Sequence, residues 1–255
     1  MKRKVDTGYN ERLFSSGLRK RLHQARFHWI HQKLLELRCP YDRVIELGCF
    51  DGKVLDFFPK KPDYYVGYDA DWEDALSLAR ERWKDYPNFH FRYCTTAQEM
   101  ELGEDRFDIA VAMETLEHLP VETVGPYLSK LAEVTDRCIL ITVPNEKGIV
   151  FFLKHLAKLL FGEVEKHTLA EFIDATLGRM DRVKRGHHKG FDYKRLIREV
   201  ADYFDIVEVS ALPFGALPKA LNFTIAIVAR KKSAVRSLSQ DSGLGSVIDL
   251  RERLS

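Results

Sequence analysis

A chain of 255 residues, 45% of them hydrophobic, is long enough to bury the core of one large domain. Lys and Arg number 40 against 38 acids, so the overall balance argues against a main partner that is a polyanion and leaves room only for a local basic patch. No apolar run has the length of a membrane span, and the opening M-K-R-K-V-D-T runs into polar residues instead of a signal-peptide core, so a soluble cytoplasmic protein is expected.

After ten loose residues, Glu11 to Leu37 reads as an amphipathic helix. Leu18, Leu22, Ala25 and Trp29 form its apolar stripe, continued by Ile30, Leu34 and Leu37. Arg19, Lys20, Arg21, Gln24 and Lys33 line the other face, either solvated or in contact with an anionic surface, and the helix either packs on a sheet or covers a ligand crevice. Cys39-Pro40 stops it. Cys39, Cys49, Cys94 and Cys138 have no paired spacing and are expected to be reduced thiols.

The chain is organised around Arg43 to Gly52, R-V-I-E-L-G-C-F-D-G. An apolar strand ends at Glu46 and turns through Gly48 and Gly52, where a ligand can approach the backbone and positive φ is tolerated. A helix from about Gly52 to Phe58 is expected to aim its N–H groups at the same crevice, as in nucleoside sites at the carboxyl end of a first strand. Tyr64 to Tyr68 is the second strand, ending at Asp69, where a carboxylate can accept hydrogen bonds from two ribose hydroxyls. Asp71 is the candidate cap for a helix spanning Trp72 to Trp83.

Phe89 to Tyr93 is a third strand and Phe107 to Met113 a fourth, which runs into E-T-L-E-H, Glu114 to His118. A helix over Val121 to Val134 precedes a fifth strand, Arg137 to Val143. Strands alternating with helices predict a mostly parallel α/β sheet covered on both faces. Residues 146–190 form an insertion that either shapes a substrate pocket or makes a solvent-side hairpin, with a short helix near Glu171 to Leu177 and a basic cluster at Arg179, Arg182, Lys184, Arg185, His187, His188 and Lys189. A helix follows with the stripe Leu196, Ile197, Val200 and Phe204, then strands Ile206 to Val209 and Asn222 to Ala229, which pair antiparallel for want of a helix between them. From Lys231 to Ser255 the composition is that of a flexible tail.

E-L-G-C-F-D-G, V-G-Y-D-A-D, F-D-I-A-V-A-M-E-T-L-E-H-L, I-L-I-T-V-P and a late H-x-x-x-F occur here in the order found in class I S-adenosylmethionine-dependent methyltransferases, which this chain resembles over roughly residues 40 to 230. The resemblance implies a Rossmann-like seven-stranded, mostly parallel sheet with helices on both faces and an antiparallel last strand. It implies that Glu46, Gly48, Cys49, Phe50 and Gly52 line the methionine end of S-adenosyl-L-methionine, with Asp69 on the ribose, Ala70 beneath the adenine, Thr96 and Ala97 at the adenine edge, and Glu114 also at the cofactor. The family's loop has a glycine where this chain has Phe50, and with no acid at Thr96 adenine recognition is left to backbone groups. The E-x-x-E-H segment is similar to that of ubiquinone-biosynthesis catechol O-methyltransferases and of small-RNA terminal 2′-O-methyltransferases.

If E-T-L-E-H is helical, Glu114, Glu117 and His118 share one face. With His187 they suit a divalent metal such as Mg or Zn; in the metal-free reading the acid meets the cofactor and the histidine orients a loop. His118 and His187 are the candidate catalytic bases for an alcohol or phenol acceptor. The expected organisation is a helical cap over residues 1–40, a methyltransferase domain over 41–230 containing the 146–190 insertion, and a tail over 231–255. The favoured function is O-methylation of a small molecule, a glycan or a lipid-linked precursor. Ribose 2′-O-methylation of RNA and a non-catalytic cofactor-binding module are the alternatives, and peripheral membrane contact is compatible with the chain. A dinucleotide site is disfavoured because G-x-G-x-x-G is missing. The acceptor and the oligomeric state are not encoded in any motif.

Overall fold

The computed structural model of the chain describes residues 17–36, 41–152, 155, 168–184, 190–215 and 217–232. The start of the first helix, its expected Cys39-Pro40 stop, most of 153–167, the histidines His187 and His188, and the tail beyond 232 lie outside the described residues.

Seven strands form one sheet in the order β3-β2-β1-β4-β5-β7-β6. They are β1 (Arg43–Leu47), β2 (Tyr64–Asp69), β3 (Phe89–Tyr93), β4 (Phe107–Met113), β5 (Thr135–Pro144), β6 (Phe204–Leu212) and β7 (Thr224–Lys231). The first five run parallel. β7 is antiparallel to both β5 and β6, so the sheet is the mostly parallel α/β arrangement expected, with its reversal at β7. Central strands buried on both faces need near-continuous apolar runs, and F-D-I-A-V-A-M and C-I-L-I-T-V supply them.

Five α-helices are used below: α1 (Gly17–Glu36), α2 (Ala75–Arg82), α3 (Val121–Val134), α4 (Leu169–Thr176) and α5 (Tyr193–Tyr203). One core joins α3 and α5 to a sheet face through Tyr127, Leu128, Leu131, Leu196 and Val200. The other joins α1 and α2 to the opposite face through Phe27, Trp29, Ile30, Leu34, Leu76 and Ala79. Two expected helices differ from the sequence reading. Lys53–Phe57 is a 3₁₀ helix, not an α-helix from Gly52 to Phe58, because Gly52 is left-handed at φ 67° and only five residues separate it from Phe58. The helix after β2 begins at Ala75, since Asp71, Glu73 and Asp74 all adopt positive φ. Asp71 still serves it, its Oδ1 accepting from Leu76 N–H at 2.9 Å.

The insertion carries a small cluster of its own, Phe151, Ala175, Met180 and Val183 with Phe172 against them. Its helix α4 starts at a capping box in which Thr168 and Glu171 satisfy each other's backbone N–H groups. Lys147 before it bonds Asp192 after it, so both ends of the insertion meet at the base of α5.

Candidate functional site

The chain leaves β1 toward β2 and β3 on one side and returns to β4 on the other. The carboxyl ends of β1 and β4 therefore flank a topological switch point, where α/β sheets open a crevice for ligands. Gly48 follows β1 and Glu114 follows β4, so the two motifs meet at this point. A Cβ at Gly48 would lie 1.9 Å from Thr115 Oγ1, and its φ is 76°. Glycine is needed there on both counts.

The loop after β1 is held by β2. Gly48 and Cys49 donate to the carbonyl of Tyr68 at 2.7 and 3.2 Å. Phe50 N–H donates to Asp69 Oδ2 at 3.0 Å, while Asp71 N–H donates to Asp69 Oδ1 at 2.8 Å. Asp69 thus ties the glycine loop to the turn after β2. Burial raises its pKa, and these backbone donors work against that rise. Phe50 has φ 46°, so it adopts the conformation a glycine would take at that position, at a backbone cost of about 1–2 kcal/mol.

Glu46 is buried at 2% exposure and accepts a hydrogen bond from Tyr65 O–H. Burial pushes its pKa up to about 8; the tyrosine bond opposes this, and the charges of Asp69 and Asp51 add to it. Glu46 pairs with Gly67 across the ladder, and a Cβ at Gly67 would lie 2.8 Å from Tyr65 Oη. The missing side chain is what lets the phenol reach the acid. Tyr65 was not singled out in the sequence, although the alternation of Y-Y-V-G-Y with R-V-I-E-L puts Tyr65, Gly67 and Glu46 on one face.

E-T-L-E-H is a turn and not a helix, because Glu114 takes φ 51° as it leaves β4 and its N–H bonds Thr142 O across β5. Its side chains therefore do not share a helical face. Glu117 points into the protein with a fully buried side chain, whereas the His118 side chain is 45% exposed, its Nε2 3.8 Å from Glu117 Oε1. Burial first, then the charge of Glu114, holds the Glu117 pKa well above the carboxylate range. Glu114 Oε2 faces Arg26 Nη1 of α1 at 3.6 Å. Arg26 also went unnoticed in the sequence, since only the fold brings α1 to the end of β4. Lys33 of α1 is ion-paired with Glu36 and Glu208, at 2.7 and 2.8 Å, instead of being solvated.

Thr96 and Ala97 begin a 3₁₀ turn closed by a capping box. An acid does stand beside them, because Glu99 accepts from Thr95 N–H at 2.7 Å and from Thr96 N–H at 3.2 Å. Ala70 is exposed at the end of β2. Cys49, Cys94 and Cys138 are buried. A cleft of about 450 Å³ beside β3, walled by Tyr68, Arg80, Arg92 and Tyr93 among others, includes none of the candidate residues. Among the described residues no three His, Cys, Asp or Glu side chains converge as metal ligands, and His187 lies outside them. No helix among the described residues is long and apolar enough to cross a membrane.

Residues 44–137 match a protein-family model described as a methyltransferase domain. A ubiquinone biosynthesis O-methyltransferase of Bradyrhizobium sp. (strain ORS 278) is 34% identical over 92 residues, which is 36% of this chain and 35% of that protein. The chain thus matches about a third of the length of the curated relatives it resembles. Among solved structures, a magnesium protoporphyrin IX methyltransferase from Synechocystis PCC 6803 with bound S-adenosylhomocysteine superposes with a TM-score of 0.55 at 18% identity, covering 87% of this chain and 92% of that one. An S-adenosylmethionine-dependent methyltransferase from Clostridium acetobutylicum ATCC 824 gives a TM-score of 0.60 at 10% identity, over 88% and 99%. Over residues 44–137 the chain is therefore similar to methyltransferase domains, and its sheet has the fold of these two solved structures.

Proposed function

We propose that this protein is an S-adenosylmethionine-dependent O-methyltransferase of a small-molecule acceptor, a glycan or lipid-linked precursor being the wider form of the same class, acting in the cytoplasm. The observation that carries the reading is the meeting of the Gly48 loop, Asp69 and the Glu114–His118 turn at the switch point of the sheet. The residues fit the cofactor: a backbone with positive φ at Gly48, Phe50 and Gly52 lies beside an acid at the end of β1 and another at the end of β2. Glu46, Gly48, Cys49, Phe50 and Gly52 would hold the methionine end, Asp69 the ribose, and Ala70, Thr96 and Ala97 the adenine, with Glu114 closing the crevice. Residues 41–230 are the catalytic unit in this reading, with 1–40 as its cap and 146–190 on the acceptor side.

S-adenosylmethionine brings a methyl group already activated by its sulfonium. The protein's task is to hold an acceptor oxygen in line with that methyl, exclude water and receive the acceptor's proton. His118, half-exposed and with its Nε2 3.8 Å from Glu117 Oε1, is the proposed base. His187 remains a second candidate by sequence alone. A metal held by Glu114, Glu117, His118 and His187 finds less support than the metal-free reading, since the Glu117 side chain is sealed in the interior and no group of three ligands is found among the described residues, which do not include His187.

RNA methylation finds less support, since 40 Lys and Arg against 38 acids leave little net charge to draw a polyanion. A steep fall of RNA affinity with salt would favour it. The test of the proposal is release of S-adenosylhomocysteine from S-adenosylmethionine on addition of phenols, catechols and hydroxylated lipids. Cofactor binding with no turnover on any acceptor class would instead favour the non-catalytic module.

A further inference from the structure

Tyr65 is wholly buried on the sheet face that α1 and α2 cover, where a phenylalanine would fill the same space with no hydroxyl to satisfy. Its ring lies between Phe89 and Phe91 of β3, both with centroids 5.5 Å away. Tyr65 pairs with Val44 and Gly67 with Glu46, so the hydroxyl reaches Glu46 diagonally, along the strand and over the bare Cα of Gly67. A Cβ at Gly67 would lie 2.7 Å from Cys49 Sγ and 2.8 Å from Tyr65 Oη. The phenol, the thiol and the acid therefore close around the position that this glycine leaves empty.

The bond falls on Glu46 Oε2. Oε1 accepts none among the described residues, yet it is not one of the side-chain oxygens sealed without a partner, so the 2% of Glu46 left uncovered includes it. One oxygen of the acid is thus fixed to β2 in the interior, and the other is open where β1 runs into the Gly48 loop. We propose that Tyr65 is a positioning residue of the cofactor site, holding Glu46 by one oxygen so that the other is presented to the cationic methionine end of the cofactor. This rests on the methyltransferase reading and adds a residue to it. A carboxyl already held in place loses less freedom when the ligand arrives. The bond also acts on its charge. Burial favours the protonated acid, the phenol opposes that, and the charges of Asp69 and Asp51 add to it; Cys49, the remaining titratable neighbour, is kept a neutral thiol by burial. Without the hydroxyl, Glu46 keeps its proton to higher pH and meets the cationic end as a neutral group.

The test measures S-adenosylhomocysteine affinity from pH 6 to 9, by titration calorimetry, in the full chain and in its Tyr65→Phe, Glu46→Gln and double variants. Phe keeps the ring against Phe89 and Phe91, and melting temperature follows the fold. In the native protein, affinity should rise up to about tenfold per pH unit and level off near pH 8, where Glu46 gives up its proton. In Tyr65→Phe it should level off about one to two pH units higher, leaving affinity about ten- to hundredfold lower at pH 7, with the gap narrowing toward pH 9. With Gln at position 46, the same substitution should change affinity less than about twofold, since no carboxyl is left to orient. A gap equal at every pH, or one that persists beside Gln, overturns the proposal, because a packing role alone would produce it. Unaltered affinity in Tyr65→Phe overturns it too, as does a flat pH profile in the native protein, which needs no variant. Failure of the native protein to bind S-adenosylhomocysteine at any pH overturns instead the cofactor reading beneath it.

Discussion

Replacing Glu46 with Gln should make the protein more stable and a worse binder of its cofactor. The carboxyl, ordinarily titrating at 4.5, is held at about 8 by burial. Between those values the native state keeps a proton that the unfolded chain has lost, so the contribution to stability is full below pH 4.5 and falls as pH rises to about 8. At ~1.4 kcal/mol per pH unit, this amounts to a ceiling on the order of 5 kcal/mol. Gln keeps an oxygen to accept from Tyr65 O–H and has no proton to lose. The melting temperature of the variant should therefore be flat across a window in which that of the native protein declines, with the largest gap above pH 8. Binding should move the other way. If Glu46 meets the cationic methionine end of the cofactor, binding near neutral pH requires the acid to ionise, and a proton is released. Loss of that charge-assisted bond costs about 1.5–3 kcal/mol, a ten- to hundredfold fall in affinity. Scanning calorimetry across pH, with titration calorimetry in two buffers of different ionisation enthalpy, reads both effects. Parallel melting curves with unchanged proton release would refute the reasoning.

Asp69→Ala removes the acceptor for two backbone N–H groups, so it should cost about 1–3 kcal/mol of stability and weaken S-adenosylhomocysteine binding at least tenfold; an unchanged affinity in calorimetry contradicts the ribose assignment. At position 50, Gly should be more stable than Ala by about 1 kcal/mol in denaturant unfolding, because the backbone there is left-handed; the reverse order would show that Phe50 is not strained. His118→Ala should slow turnover about a hundredfold or more while cofactor affinity holds, and an unaltered rate removes it as the base. Activity should survive exhaustive chelation, given that the Glu117 side chain is sealed in the interior; a loss restored by added Mg or Zn would bring the metal set back.

The strands were legible because parallel strands need long apolar runs, and β3, β4 and α3 fall where their patterns end. The antiparallel β6–β7 pair followed from the lack of a helix between them. Local pattern failed where backbone conformation departs from it. Nothing in E-T-L-E-H announces that Glu114 will take positive φ, so a helical spacing that would cluster its acids was read into a turn. Phe50 is the converse case: its position requires a left-handed backbone, which the resemblance to a glycine loop suggested and the residue type concealed. The roles of Arg26 and Tyr65 depend on register and on helix placement, which no single stretch of sequence contains.

Transfer of the methyl group is the central claim, and it is measured most directly by incubating the purified chain with S-adenosylmethionine labelled in its methyl group and a panel of phenolic and hydroxylated acceptors. Label is expected in one acceptor's oxygen, in step with S-adenosylhomocysteine release, and both should be lost in the Asp69→Ala protein. Label that stays with the cofactor across the whole panel, in a protein that binds it, would contradict the account.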